Sequence, residues 1–356
     1  MREQDWTRLP PLAEREPALN VTFCAGVAAC VDEAAAAAPA GHRFLRAAWY
    51  RAAAGAGAST LVARRPDGRT FAALPTEARN RFVREVPGAY WPFRGVPVAP
   101  DASEAELEHL LRHPRARAAL GPAWRMGPVR EDDTSTSRLA AAARVAGWTV
   151  LRRPVGRTWL LDVEALRAEG AWPRGSTLRR NRYFEKHLSA HGPLDFRFVT
   201  GSGWTAQLFD TLAAIEANSW VAKSTDGRDA KFLAPHNRRF WEAAAADPVL
   251  AGMMSAGILS IGGVPAAFAF DIDCAPTRYC IANSYDERFA RHSPGRVLAY
   301  RNFQHLAERE ITLLDWGIGD PGYKAVMGAA PGPEMVDWLF VRSPALAAVA
   351  RRFWHT

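Results

Sequence analysis

The sequence predicts an α/β protein built from two tandem copies of one unit, and three observations carry that reading. First, there are two hairpin signals. TLVARRPDGRTFAALPT (60–76) has two β-prone runs around Pro66-Asp67-Gly68, and MSAGILSIGGVPAAFAFDI (254–272) has two apolar runs around Gly262-Gly263. Second, the residues after the two turns resemble each other: Gly68-Arg-Thr-Phe-Ala-Ala-Leu against Gly263-Val-Pro-Ala-Ala-Phe-Ala. Third, Ala123-Trp124-Arg-Met-Gly127-Pro and Asp315-Trp316-Gly317-Ile-Gly319-Asp stand at similar distances downstream, with 59 residues from Gly68 to Gly127 and 54 from Gly263 to Gly317. Two weak repeats in the same order point to a duplicated unit of roughly 150 residues. The division is an arm at 1–20, a first copy at 21–155 and a second at 156–356.

The elements follow in order. Residues 1–20 carry Pro10, Pro11 and Pro17 without a helical or strand period. Residues 28–58 are alanine-rich, with Phe44, Leu45, Ala48 and Trp49 at helical spacing. GWTVLRRPVGRTWLLDV (147–163) reads as two strand-like runs around Pro154-Val155-Gly156 that bridge the copies. Ser176 is placed as the N-cap of a basic amphipathic helix. A strand at 195–200, helices at 204–221 and 237–247, and the second hairpin come next. Strand 277–285, helix 295–309 and strand 311–318 complete the unit, and a short basic amphipathic helix, 346–354, closes the chain.

Composition sets the broad class. The chain has 356 residues, of which 48% are hydrophobic and 23% charged, as in an ordinary globular protein. Four cysteines, none in C-x-x-C spacing, exclude a disulfide scaffold and a zinc ribbon. The N-terminal stretch has no apolar core of signal-peptide type, and no run of about 18 apolar residues exists. A cytoplasmic location is expected, with the inner face of the cell membrane as a peripheral alternative. The net charge of +8 suits nucleic acid, anionic headgroups or a polyphosphate and selects none of them. A solvated basic surface accounts for it as well.

Gly317-Ile-Gly319-Asp-Pro-Gly322 fits G-x-G-x-x-G and follows a strand. A dinucleotide site needs a further βαβ unit, and only 34 residues remain after Gly322, so that reading is set aside. More informative is Asn283-Ser-Tyr-Asp-Glu-Arg-Phe-Ala-Arg-His-Ser-Pro-Gly-Arg-Val. There a strand ends near Tyr285 and Pro294-Gly295 opens a helix, whose free N–H groups and dipole attract phosphate. Arg288, Arg291 and Arg296 add charge. An ordinary helix cap explains the same local features.

The order hairpin, strand, Tyr-Asp-x-x-Phe-x-x-x-Ser-Pro-Gly-x-x-Leu, helix, strand, Asp-x-Gly-x-Gly-Asp-x-x-Tyr-Lys resembles the Gcn5-related N-acetyltransferase (GNAT) superfamily. The likeness is to its CelD/BcsL-like acyltransferase branch, which is akin to Fem-type transferases. It covers 176–330 and extends weakly over 40–150. It implies tandem GNAT-like folds with mixed sheets flanked by helices, chemistry in the second copy and a degenerate first copy. It further implies acyl-CoA as co-substrate, or an acyl carrier protein, with no metal. The pyrophosphate loop would be Arg291, His292, Ser293, Gly295, Arg296 and Val297, with His292 and Val297 departing from the family pattern. Backbone of Ala282, Asn283 and Ser284 would pair with pantetheine.

Within that resemblance Tyr323 is the candidate acid for the leaving thiolate, Asp320 the group that holds or deprotonates the amine, and Lys324 an oxyanion or phosphate partner. Glu216 is a further base candidate and Tyr285 a second acid. Trp220 and Trp316 are candidate pocket walls. An exposed turn, a surface carboxylate and core packing are the plainer readings of these residues. His187, His191, His236 and His305 show no metal-ligand spacing. The expected reaction is N-acyl transfer to a primary amine, either an amino sugar or a long-chain sphingoid-type amino alcohol as in bacterial ceramide formation. Contact with an anionic membrane is a secondary expectation, and a nucleic-acid partner is not expected. The alternatives are a Fem-like aminoacyl transferase that uses aminoacyl-tRNA and a non-catalytic binding module.

Overall fold

The computed structural model describes residues 19–89, 91–169, 175–224, 229–319 and 322–354. Its strands are β1 (Asn20–Ala25), β2 (Ser59–Arg64), β3 (Thr70–Ala78), β4 (Val83–Glu85), β5 (Ala123–Arg130), β6 (Thr149–Asp162), β7 (Leu194–Thr200), β8 (Met254–Ile261), β9 (Val264–Cys274), β10 (Thr277–Tyr285), β11 (Leu313–Ile318) and β12 (Ala330–Val341). Its helices are α1 (Val31–Ala37), α2 (Ala47–Ala53), α3 (Glu104–Arg112), α4 (Pro114–Leu120), α5 (Thr134–Val145), α6 (Val163–Ala168), α7 (Gly175–Ser189), α8 (Ala206–Ala217), α9 (Trp220–Ser224), α10 (Pro235–Ala245), α11 (Pro248–Met253), α12 (Pro294–His305), α13 (Tyr323–Met327) and α14 (Pro344–Arg351).

All twelve strands form one sheet in the order β1-β2-β3-β4-β5-β12-β6-β11-β10-β9-β8-β7. Exchanging β1–β6 with β7–β12 turns this order into itself read backwards, so the sheet has a pseudo-twofold between β12 and β6. Each copy gives its last strand to the other: β6 pairs with β11, and β12 pairs with β5. The two exchanged strands pair with each other from Thr149↔Val341 to Leu160↔Ala330. The 155/156 division of the sequence therefore falls inside β6.

Matched sequence features occupy matched places. Gly68 (φ +88°) lies in the β2–β3 turn, and Gly262 and Gly263 (φ +60° and +79°) form the β8–β9 turn. Gly127 and Gly317 both have positive φ, on β5 and β11. The interior strands β8 and β9 are buried along nearly their whole length, which is why they read as unbroken apolar runs. Across the seam, Trp49 on α2 packs edge-on against Phe240 and Trp241 of α10, at 4.9 and 5.8 Å between ring centroids.

Several elements differ from expectation. The segment 147–163 is one strand, because Gly156 (φ +152°) and register shifts opposite β12 absorb the irregularity at Pro154. Ser176 lies inside α7, which starts at Gly175. The alanine-rich 28–58 stretch is split into α1 and α2. Residues 330–341, with Pro331 and Pro333, form a central strand; those prolines sit near its start, where β12 shifts register against β6.

Candidate functional site

β10 and β11 pair in parallel only from Thr277↔Leu313 to Tyr279↔Asp315, and then part. Both strands supply the reason. β10 shifts register between Cys280 and Ala282 against β9. β11 shifts between Asp315 and Ile318 against β6, with Gly317 at φ +70°. Asp315 Oδ1 accepts from the Gly317 N–H at 3.0 Å, so the side chain holds its own strand in that bend. Among the described residues, β10 then has no strand partner on its β11 side beyond Tyr279.

At the apex of this fork stands a residue of the first copy. Trp91 Nε1 donates to the Cys280 carbonyl at 2.9 Å. Its ring lies 3.2 Å from where a Cβ on residue 317 would sit, so glycine there satisfies both the backbone and the indole. The first copy has an equivalent parallel pair, β4 with β5. There the fork is filled by chain: the Val86 N–H donates to the Arg125 carbonyl and the Arg94 N–H to the Pro128 carbonyl, each at 3.0 Å.

The open fork leads to the N-terminus of α12. Asp286 caps the 3-10 turn 287–292 and binds Arg288 through both carboxylate oxygens, so that guanidinium is already paired. Ser293 is left-handed (φ 48°, ψ 55°), an uncommon state for a non-glycine residue, and its carbonyl accepts from the Arg296 and Val297 N–H groups. A Cβ on Gly295 would lie 3.1 Å from the Tyr285 ring. Val297 is buried in the core with Leu298. Arg296 keeps a buried Nε without a hydrogen-bond partner, and desolvation, then the Arg180 charge, push its pKa down. Asn181 on α7 has both amide atoms buried and unpartnered. His292 stacks on His187 at 5.3 Å and lies 5.8 Å from His191. Desolvation, then His187, His191 and Arg291, hold its imidazole below the usual range. This cationic, under-partnered mouth can receive an anion. Behind it, the buried Arg278 anchors α12: Nε donates to Asp273 at 2.6 Å and Nη1 to Asn302 at 2.7 Å, while Asn302 donates to Asp271 at 2.8 Å.

Other candidates divide into those at the fork and those away from it. Asn283 is exposed and donates to the Tyr323 hydroxyl at 3.4 Å, bridging β10 and α13. Trp316 lies 6.1 Å from the Tyr323 ring and 5.6 Å from Phe303. Ala282 is half-buried and Ser284 buried in β10. Lys324 is buried, with Nζ donating to the carbonyls of Trp316, Gly317, Ile318 and Gly319 at 2.5–3.4 Å, so its charge clasps the end of β11. Asp320 lies outside the described residues. Glu216 is also buried; its two oxygens accept from the N–H groups of Lys231, Phe232 and Leu233 at 2.7–2.8 Å, pinning that loop to α8. Trp220, at the start of α9, is half-exposed.

Sequence reasoning passed over Asp315 as a site residue; it is fully buried at the fork, with Oδ2 lacking a hydrogen-bond partner and 3.9 Å from Arg130. Burial pushes its carboxyl up to about 6 against the lowering effect of the Gly317 N–H, Arg130 and Lys324. The Asp-x-Gly spacing was the available signal. Among the described residues, no group of three His, Cys, Asp or Glu is arranged to hold a metal ion, and no helix is long and apolar enough to cross a membrane.

The family model of an acetyltransferase (GNAT) domain matches residues 175–325, the segment that contains the fork and α12. The matched segment lies within the second copy, which is therefore similar to a GNAT domain. Similar solved structures extend the likeness of fold over both copies. The C-terminal domain of a putative lysylphosphatidylglycerol synthetase from Agrobacterium fabrum is 16% identical, with 91% of this chain and 94% of that one covered at a TM-score of 0.54. FemX is 12% identical, with 82% and 90% covered at 0.56. A conserved protein of unknown function from Bacteroides thetaiotaomicron is 12% identical, with 89% and 92% covered at 0.51. No curated protein matches the sequence. These likenesses concern the fold alone.

Proposed function

We propose that the second copy transfers an acyl group from a thioester donor, acyl-CoA or an acyl carrier protein, to a primary amine. The observation that carries this reading is the open fork of β10 and β11, whose unpaired β10 edge runs toward the cationic start of α12. An extended, amide-bearing arm can pair with that edge as an added strand would. Its phosphate would meet the Gly295 N–H and Arg296, whose unpartnered Nε is an orphaned donor that an anion would satisfy. A thioester supplies an already activated carbonyl, so direct attack by the amine needs no covalent enzyme intermediate.

The chain's own groups do the rest. Tyr323, whose hydroxyl accepts from Asn283 at the mouth of the fork, would give a proton to the leaving sulfur. Lys324 acts through the loop it clasps. Its ammonium fixes the carbonyls of 316–319 and so holds the β11 side of the fork. Trp91 closes the apex, which gives the first copy a part in shaping the site without a donor fork of its own.

The test is calorimetry on the full chain with CoA, acyl-CoA and acyl carrier protein. Gly295→Asp puts a carboxylate where the phosphate would sit and should weaken donor binding by more than about tenfold, equivalent to roughly 1.4 kcal/mol. Gly295→Ala separates charge from the crowding against Tyr285. Equal donor binding by wild type and Gly295→Asp would remove this loop from the site.

A second reading is aminoacyl transfer from tRNA. α7 favours it, since Arg179, Arg180, Arg182 and Lys186 make that helix strongly basic beside the same mouth. Donor assays with charged tRNA against acyl-CoA separate the two.

A further inference from the structure

One end of the sheet carries a surface that the fork does not use. Val83, Ala123, Val341 and Thr149 stand in one row across β4, β5, β12 and β6. The chain around that row leaves four large apolar side chains in water: Phe82 (48% exposed), Val145 (60%), Val349 (55%) and Phe353 (74%). Phe82 directly precedes β4, and Val145 ends α5 just before β6. Val349 lies on α14, which follows β12, and Phe353 on the turn after it, where its N–H donates to the Ala350 carbonyl at 3.0 Å. Single exposed apolar residues are ordinary, but four around one row of strands make a patch.

α14 has two apolar faces. Leu346, Ala347, Ala350 and Trp354 pack on the strands. Ala345, Ala348 and Val349 form a stripe on the opposite side, with Phe353 at its flank, and all four are exposed. A helix apolar on both sides is stable where each side meets an apolar medium. The charges around it share one sign. Residues 338–356 contain Arg342, Arg351 and Arg352 and no Asp or Glu. Arg81, whose guanidinium stands 4.5 Å over the Phe82 ring, and Arg144, beside Val145, are exposed as well. Glu85 on β4 and Glu108 on α3 are paired with Arg79 and Arg112. Bare Phe and Val among arginines suit a headgroup layer, where rings reach the acyl chains and guanidinium groups meet phosphate. A second copy of this face would set the same arginines against one another, and RNA would take the arginines but has no use for the valines.

We propose that this end of the molecule docks on an anionic lipid surface, with Phe353 and Val349 entering it and Arg342, Arg351 and Arg352 on lipid phosphates. β11 runs antiparallel to β6, so the fork opens toward the end of the sheet at which β6 starts, and a docked molecule turns its mouth to the bilayer side. The docking does not depend on the acyl-transfer reading. Co-sedimentation of the full chain with phosphatidylcholine vesicles, with and without phosphatidylglycerol, tests it. Wild type should pellet with the anionic vesicles, less so at high salt, and stay in solution with the neutral ones. Phe353→Ser removes a mostly exposed ring and should weaken anionic-vesicle binding about tenfold with an unchanged melting curve. Arg351→Gln combined with Arg352→Gln should weaken it by a similar factor. Val249→Ser, at another exposed valine on α11, should leave it unchanged. Equal binding to both vesicles, binding to neither, or full anionic-vesicle binding by Phe353→Ser would overturn the proposal. So would a dimer that Phe353→Ser dissociates, or binding of an RNA oligonucleotide in place of vesicles.

Discussion

Asp315 concentrates the residue-scale argument, because one side chain both bends β11 and brings a carboxyl into a dry place. Its neighbours are the Gly317 N–H on its own strand, Arg130 on β5, Lys324 on α13, Tyr279 on β10 and, further out, Asp132. The folded-state pKa of about 6 lies above the ordinary 3.8, so the native chain binds this proton more tightly than the unfolded chain. The contribution to stability is present below the unfolded value and is lost as pH rises through about 6. A shift of that size corresponds to roughly 3 kcal/mol. Asparagine retains an acceptor for the Gly317 N–H and cannot titrate. Relative to Asp315→Asn, the wild type should therefore lose stability between pH 4 and 6, as measured by urea unfolding at each pH. Parallel curves for the two proteins would show that the carboxyl is not held neutral.

At the scale of elements, the loop after α9 depends on α8 through Glu216, whose oxygens take three backbone N–H groups. Glu216→Gln turns an amide NH₂ toward donors that need an acceptor. It should cost about 2–3 kcal/mol in thermal or urea unfolding, whereas a surface carboxylate would cost almost nothing. This role was not legible in the sequence, which marked Glu216 only as a base candidate. The three donors lie 15–17 residues away in a loop of no regular period. The β8–β9 hairpin, by contrast, was legible, since turn glycines and strand periodicity are local. β12 was not anticipated, and Pro331 and Pro333 near its start run against a central strand. What admits them is a long partner strand with a register shift, supplied by the other copy. The Tyr323-Asn283 bridge and the Lys324 clasp lie on residues that the motif singled out, but their partners could only be seen in three dimensions.

The whole molecule is one sheet whose two central strands are exchanged, and this governs how it folds. A fragment beginning at residue 156 loses the first part of β6 and leaves β12 without β5, exposing a long central edge. Residues 156–356 expressed alone should aggregate or remain unfolded, and the full chain should melt in one cooperative transition by calorimetry and circular dichroism. A soluble, folded fragment would mean that the copies are independent. The same exchange puts Trp91 of one copy at the fork of the other, so the proposed site depends on both. The central claim is that the donor lies in the fork of the second copy alone. Hydrogen–deuterium exchange of the full chain with and without CoA tests it most directly: the account predicts protection at 281–285 and 293–297 with none at 126–130 of the first copy, and protection confined to 126–130, or found nowhere, would contradict it.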